Sequence, residues 1–407
     1  MNRFIVLILF LFSELTFARP YNYADVQLGE KSFGMGGASM ALLGDVGQIY
    51  FNPAALADLS ASQVSAALSG YARNDTRTGA FVNLFQSAVE NISRGGFKAI
   101  PSMAGGNVRW GEWVWGGAIL IPDSFANSGT TDIESVDSAA FEGSFQSLWL
   151  GAFLSRRWEK NAFGISFFYA NRSFSERYFF ISNAATNPVI RFLQRGQSIN
   201  GLVAVLGGLR YLSSDLKLGY SLRLPPLAFP GSITVGDTTS GSLEGYDKPK
   251  EVSSRFFPLP IRIGLGLAWE PITRWSFAFD AYYFAPLKGN MDSADQREEF
   301  NFDAKQIVNI SLGAEYFPWT QLGFRVGILS NMSAARTVPV GLSAISDKVN
   351  MFGGTGAIVF DKASGSISIG GYIQGGQGRA YAMDLTNSVV PRSNYSYGAL
   401  IGSAFKF

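Results

Sequence analysis

From about Val64 to Phe407 the chain is a succession of short segments in which apolar residues alternate with small, polar or charged ones. A period of two on an extended backbone puts every bulky apolar side chain on one face. Ile261, Ile263, Leu265, Leu267 and Trp269 alternate with Arg262, Gly264, Gly266 and Ala268. Trp275, Phe277, Phe279, Ala281 and Tyr283 oppose Ser276, Ala278, Asp280 and Tyr282, and Val308, Ile310, Leu312, Ala314 and Tyr316 oppose Asn309, Ser311, Gly313 and Glu315. Leu216, Leu218, Tyr220, Leu222 and Leu224 face away from Lys217, Gly219, Ser221 and Arg223. Strands this consistently apolar on one side suit a barrel in lipid, where a closed ladder satisfies every backbone group.

The connections point the same way. Tight turns fall near Gly111-Glu112, Glu159-Lys160-Asn161, Ser213-Ser214-Asp215, Glu270 to Thr273, Phe317 to Thr320 and Asp361 to Ser364. Long polar stretches lie between them, at about 73–98, 122–143, 174–197, 225–258, 286–304, 332–348 and 379–393. Transmembrane barrels have short periplasmic turns and long external loops, so the rhythm predicts an all-β antiparallel barrel of about 14 strands with both termini periplasmic. Trp110, Trp113, Trp158, Tyr211, Trp269, Trp275, Tyr316 and Trp319 cluster at the short turns, as an interfacial aromatic girdle would.

Composition excludes other classes. The chain is 47% hydrophobic and 14% aromatic but only 16% charged, and beyond the N-terminus it has no apolar run of about 18 residues, so helical spans are not expected. Met1 to Ala18, with Arg3, the apolar run Phe4–Phe12 and Thr16-Phe17-Ala18, reads as a signal peptide, placing the mature start at Arg19. Cysteine and histidine are both absent, which removes disulfides, thiolate or imidazole metal sites, the Ser-His-Asp triad and the imidazole base. No catalytic residue, cofactor or metal is expected; Glu298-Glu299 reads as solvated surface, and Asp292 and Asp295 in the same loop leave a calcium site conceivable, though their spacing matches no EF-hand. A net charge of +2 gives no reason to expect nucleic acid.

Residues 19–62 do not read as strand. Gly34, Gly36, Gly37, Gly44 and Gly47 crowd the stretch KSFGMGGASMALLGDVG, whose loose backbone suits close packing in a confined space. Phe51-Asn52-Pro53-Ala54-Ala55-Leu56 then reads as an Asn-Pro turn and a short helical turn leading into the first strand. A GMGGA segment, Asp45, and YFNPAALA ahead of an all-β remainder resemble the FadL/TodX family of outer-membrane transporters for long-chain fatty acids and aromatic hydrocarbons. The resemblance implies that residues 19–62 form a hatch plugging the lumen of a barrel spanning 63–407, with Gly34, Gly36, Gly37, Phe51, Asn52 and Pro53 as hatch residues. It also implies a lateral exit at a distortion of an early strand; here the third strand, Trp113 to Ile121, contains Gly116 and Gly117, which become the candidates for it. Asn52 and Pro53 either gate the lumen or only fix the angle at which the chain enters the first strand.

The candidate ligand contacts come from two places. Phe81, Leu84, Phe85, Ala88, Val89 and Ile92 recur at helical spacing and predict an amphipathic helix over 79–94, either packed over the barrel mouth or forming an apolar landing site, with Val189, Ile190, Phe192 and Leu193 as a second apolar cluster. The lumen-facing charges are Lys217, Arg223, Arg262, Asp280, Glu315 and Arg325. Most should be structural, but Arg223 and Arg262, near the outer end of consecutive strands, suit a carboxylate headgroup. The expected partners are a hydrophobic small molecule, outer-membrane lipid, and the barrel-assembly machinery, the last through the C-terminal strand ending on Phe407. Passive uptake of a hydrophobic solute is the leading reading; a barrel docking or secreting a protein is the alternative.

Overall fold

The computed structural model describes residues 21–24, 28–42, 44–59, 61–78, 81–82, 88–89, 98–133, 137–182, 189–240, 250–292, 301–338, 347–381 and 389–407. The expected signal peptide lies outside them. Fourteen antiparallel wall strands follow in chain order. They are β1 (Gln63–Thr78), β2 (Lys98–Trp110), β3 (Trp113–Leu120, then Ser124–Ile133), β4 (Asp137–Trp158), β5 (Asn161–Ser182), β6 (Val189–Tyr211) and β7 (Leu216–Arg223, then Leu227–Ser240). The rest are β8 (Lys250–Ser254, then Arg262–Ile272), β9 (Trp275–Phe284), β10 (Ile307–Trp319), β11 (Leu322–Asn331), β12 (Asp347–Lys362), β13 (Gly365–Tyr381) and β14 (Val389–Lys406). Each pairs with the next, and β14 pairs with β1, from Gln63↔Lys406 to Thr78↔Arg392, which closes the barrel. Closure leaves no free edge, the condition for a sheet to sit in hydrocarbon.

The alternation read from sequence is the wall's inside-outside pattern. Ile263, Leu265, Leu267 and Trp269 on β8, and Val308, Ile310 and Leu312 on β10, face outward, with Leu265 53% exposed. Lys217, Arg223, Arg262, Asp280, Glu315 and Arg325 all point inward and are buried. Trp110, Trp158, Trp269 and Trp319 are exposed at the short-turn end, where the girdle was expected. Gly111 makes one of those turns with φ of 63°, a left-handed value that a side chain would resist.

The long loops are shorter than the sequence suggests. The stretches at 122–143, 174–197 and 225–258 are largely strand: β4, β5 and β6 run 22, 22 and 23 residues, far beyond a bilayer's thickness. Apolar alternation reports contact with lipid, and a hairpin that continues past the membrane keeps its hydrogen-bond ladder without it. The helix expected over 79–94 is also overturned. Phe81–Val82 pairs antiparallel with Ala88–Val89, so the described residues there are ribbon, and Leu84, Phe85 and Ile92 lie outside the described residues. A helical spacing of apolar residues in a 16-residue stretch carries too little information to beat a hairpin's local pairing.

The N-terminal segment fills the lumen. Helix α1 (Glu30–Gly34), helix α2 (Gln48–Phe51) and a 3-10 turn (Pro53–Asp58) pack against the inner wall, and Leu28, Met35, Met40, Leu42, Ile49 and Leu56 are fully buried. Inward glycines make room for it. A Cβ on Gly327 would lie 2.1 Å from the Gly36 nitrogen, and one on Gly219 would lie 2.2 Å from the Met40 carbonyl oxygen.

Candidate functional site

Polar groups of the wall hold the lumenal segment at several points. Asn52, fully buried, donates from Nδ2 to the carbonyls of Met40 (2.7 Å) and Gly208 (3.0 Å) and accepts from the Ala54 amide (3.1 Å), capping the 3-10 turn. Pro53 at the first position of that turn needs no donor there. Asp280 of β9 accepts the amides of Ser39 (2.6 Å) and Met40 (2.8 Å) and the Tyr282 hydroxyl (2.8 Å). Thr355 of β12 accepts from the Gly36 amide (3.0 Å) and donates to the Gly34 carbonyl (3.1 Å). Gly36 and Gly37 have φ of 66° and 83°, so the backbone reversal at this anchor requires residues without a Cβ.

An ionic chain adds a further attachment. Arg325 of β11 bridges Glu315 of β10 (2.5 Å) and Glu30 of α1 (3.1 Å), and Lys31 pairs with Glu315 (2.9 Å). Two acids and two bases thus neutralise one another in a buried cluster, with Ser366 and Ser368 of β13 completing the shell of Glu30. Asp45 organises the segment internally: it accepts the amides of Glu30, Lys31 (3.2 Å) and Gly47 (2.8 Å). Burial, and then the charge of Glu30, raises its carboxyl above the ordinary aspartate value, while the backbone donors oppose that shift.

Beside Tyr50 and Phe51 lies a cavity of about 30 Å³, lined by the aromatic rings of Tyr23, Tyr282 and Phe284, by Pro122 and Arg262, and by the polar side chains of Asn309 and Ser311. Arg223 and Arg262 sit directly opposite each other across the β7–β8 ladder and are 1% and 2% exposed. Arg262 donates from Nη2 to the carbonyls of Tyr50 (2.6 Å) and Phe51 (3.3 Å), and its guanidinium lies over the Tyr50 ring, 4.9 Å from the centroid. Arg223 donates to the Tyr50 hydroxyl (3.4 Å) and the Pro260 carbonyl (3.1 Å). A third buried arginine, Arg172 of β5, donates to the Pro258 carbonyl (2.9 Å). The Nε atoms of all three are buried without a hydrogen-bond partner among the described residues. Three buried guanidiniums with spare Nε donors thus lie around Tyr50 and Phe284, with the Asp123 carboxylate close enough to interact with Arg172 and Arg223, and what the Nε groups still lack is a hydrogen-bond acceptor. Burial also raises the Tyr23 hydroxyl well above the ordinary tyrosine value, so that ring faces the pocket as a neutral phenol.

The structure gathers the sequence candidates unequally. Gly34, Gly36, Gly37, Phe51, Asn52 and Pro53 all lie in the lumen, and Phe51 adjoins the arginines at the cavity. Phe81 lies in the short ribbon after β1, and Leu84 and Phe85 lie outside the described residues. Gly116 and Gly117 sit within a continuous ladder, paired to Asn107 and Gly106 on one side and to Phe153 and Ala152 on the other. The interruption of β3 comes further on, at Ile121-Pro122-Asp123, where the strand stops following β2 and its second half pairs with β4 alone. Sequence reading passed over Arg172 and Tyr50. The inward run Ser166, Phe168, Ala170 and Arg172 was legible on β5, and Tyr50 immediately precedes the Phe51-Asn52-Pro53 motif.

No protein-family model matches the chain, and no curated protein sequence matches it. Solved structures do. A Pseudomonas aeruginosa FadL homologue superposes with a TM-score of 0.72 at 11% identity, covering 95% of this chain and 100% of that one. The Ralstonia pickettii toluene transporter TbuX gives 0.65 at 14% identity, and the Pseudomonas putida toluene transporter TodX gives 0.64 at 16%, each covering 93% of this chain and 98% of the other. At such identities it is the fold that is shared, and the chain has the barrel fold of the FadL homologue and of the TbuX and TodX transporters.

Proposed function

We propose that the protein is an outer-membrane channel for passive uptake of hydrophobic small molecules, long-chain fatty acids or aromatic hydrocarbons, with residues 19–62 as its hatch. The neighbouring TbuX and TodX structures are toluene transporters, which supports a hydrophobic cargo. In this reading the short turns and both termini are periplasmic, the strand ending on Phe407 addresses the assembly machinery, and no covalent chemistry takes place. The observation that carries the reading is the arginine pocket. The cavity that Arg262 lines with Tyr23 and Tyr50 is about 30 Å³ and holds little more than a water, so a ligand enters only if the hatch yields. Arg262 makes that coupling physical. The guanidinium that would take a carboxylate is occupied by the Tyr50 and Phe51 carbonyls, so an anionic headgroup competes with the hatch for the same donors. Asn52 then gates the lumen by fixing these carbonyls in place.

The test is uptake of radiolabelled oleate by intact cells. Arg262→Ala removes a charge-assisted contact worth about 1.5–3 kcal/mol, so oleate uptake should fall roughly 10- to 150-fold while toluene uptake stays near the parental value. Oleate and toluene uptake no higher in expressing cells than in cells lacking the protein would overturn the transport reading. The protein-docking alternative rests on the long connections, whose described parts are mostly strand, and no described feature favours it.

A further inference from the structure

The wall is interrupted a second time, between β7 and β8. Their ladder runs from Leu216↔Trp269 to Arg223↔Arg262 and resumes only at Gly231↔Ser254. Between these points, residues 224–230 and 255–261 share no backbone hydrogen bond among the described residues. The two sides behave differently. Residues 224–229 stay on β6, through the Leu224 amide to the Ala204 carbonyl (2.9 Å) and the pairs Leu227↔Leu202 and Phe229↔Asn200. Residues 257–260 turn inward, while Ile261 stays exposed and accepts from the Ala285 amide (3.0 Å), so that Phe257 lies under β6, 3.0 Å from where a Cβ on Gly201 would stand.

The sequence is built for this break. Leu-Pro-Pro-Leu-Ala-Phe-Pro (224–230) faces Arg-Phe-Phe-Pro-Leu-Pro-Ile (255–261), and together they hold five of the chain's 16 prolines. Each proline removes an amide that would otherwise need a partner, so an unzipped ladder here costs less than elsewhere in the wall. The interruption also lies at membrane depth. Ile261 is eight residues above Trp269 of the girdle, roughly 21 Å along the barrel axis at a rise of about 3.4 Å and a tilt of about 40°, inside the apolar band of about 25 Å. Its outer rim is apolar and exposed, with Leu224, Leu227, Phe229 and Ile261, and Leu227 is 63% exposed. Its inner side is stopped by Phe257 and Leu259, which are buried.

We propose that this β7–β8 interruption is a lateral passage for the apolar tail of an amphiphile whose anionic head sits at Arg223 and Arg262. It rests on the uptake reading and is distinct from the interruption of β3. The head and the stopper share their anchors. Arg223 holds the Pro260 carbonyl and Arg172 holds the Pro258 carbonyl, while the Nε atoms of Arg172, Arg223 and Arg262 remain unpartnered and buried. A carboxylate drawn to Arg223 competes with Pro260, which loosens the segment carrying Phe257 and Leu259. An apolar path then runs from the arginines to the exposed rim, and the tail follows it into the outer leaflet.

The chain has no cysteine, so the passage can be stapled and reopened in one protein. Leu224→Cys with Ile261→Cys places thiols at the first outward positions beyond the Arg223–Arg262 pair. Oleate uptake by intact cells is compared after oxidation and after reduction; oxidation should lower it by at least about twofold and reduction restore it, since the tail's way through the wall is closed. Equal rates, with the cross-link verified by mass spectrometry, would sink the passage. As an independent measurement, the unsubstituted protein in phosphatidylcholine nanodiscs is irradiated with a hexadecanoic acid carrying a terminal diazirine. Labelling of Phe257 or Leu259 that excess palmitate removes supports the passage; label confined to other segments, or unaffected by palmitate, overturns it. Absence of oleate uptake even in the reduced form would instead overturn the transport reading itself.

Discussion

Asn52→Ala removes one side chain and strands three backbone groups. The Ala54 amide loses its cap, worth about 1 kcal/mol, and the buried carbonyls of Met40 and Gly208 lose their donor, at about 1–3 kcal/mol for an unsatisfied group. No water replaces the donor easily, because Gly207, Pro53 and Ala54 close around the site. At the low end of each contribution about 3 kcal/mol falls on the docking of the segment and leaves the barrel ladder intact, since Gly208 keeps its backbone place between Phe163 and Tyr220. Every 1.4 kcal/mol is tenfold, so the undocked population should rise roughly 150-fold. Hydrogen exchange read by mass spectrometry on peptides spanning 45–59 measures this directly, with β9 and β10 peptides as the internal reference. Heat-modifiable migration on SDS gels checks that the barrel has folded. Unchanged protection of 45–59 in a folded barrel would refute the reasoning, because it would mean that the Asn52 bonds do not hold the segment in place.

Two further outcomes are expected. Gly327→Ala should dislodge the Gly36 reversal, since its Cβ would meet the Gly36 nitrogen at 2.1 Å and backbone cannot step aside; Gly354→Ala, whose nearest neighbour stands at 3.7 Å, should leave exchange at Gly36 unchanged and is the control. Equal exchange in the two variants would count against the close-packing argument. Asp45 supplies a pH dependence: with its folded value above the unfolded 3.8, its ionised form costs the docked segment stability at neutral pH, and that cost fades as pH falls through the folded value. Docking of the parent should therefore strengthen relative to Asp45→Asn between neutral pH and about 4, read as exchange of 28–59, and parallel pH profiles would contradict it.

The period of two determined a great deal without any coordinates. Which side of each wall strand meets lipid follows from Ile263, Leu265 and Leu267 against Arg262, Gly264 and Gly266, because a strand has only two faces and lipid accepts only one kind. The glycine-rich start and the Asn52-Pro53 turn were legible as non-strand for the same local reasons that the structure displays, a backbone reversal at Gly36 and Gly37 and a capped 3-10 turn. Strand length beyond the membrane was not legible, since β4 to β6 lose their apolar alternation where lipid ends but keep their ladder. Nor were the contacts that join distant parts of the chain. Glu30 meets Arg325 across 295 residues, Asn52 meets Gly208 across 156, and the Arg223–Arg262 pair acquires Arg172, Tyr50 and the Pro258 and Pro260 carbonyls only when the barrel closes around the segment. Local pattern fixes which face a residue takes; what it meets there is set by closure, which brings every inner face onto one small volume.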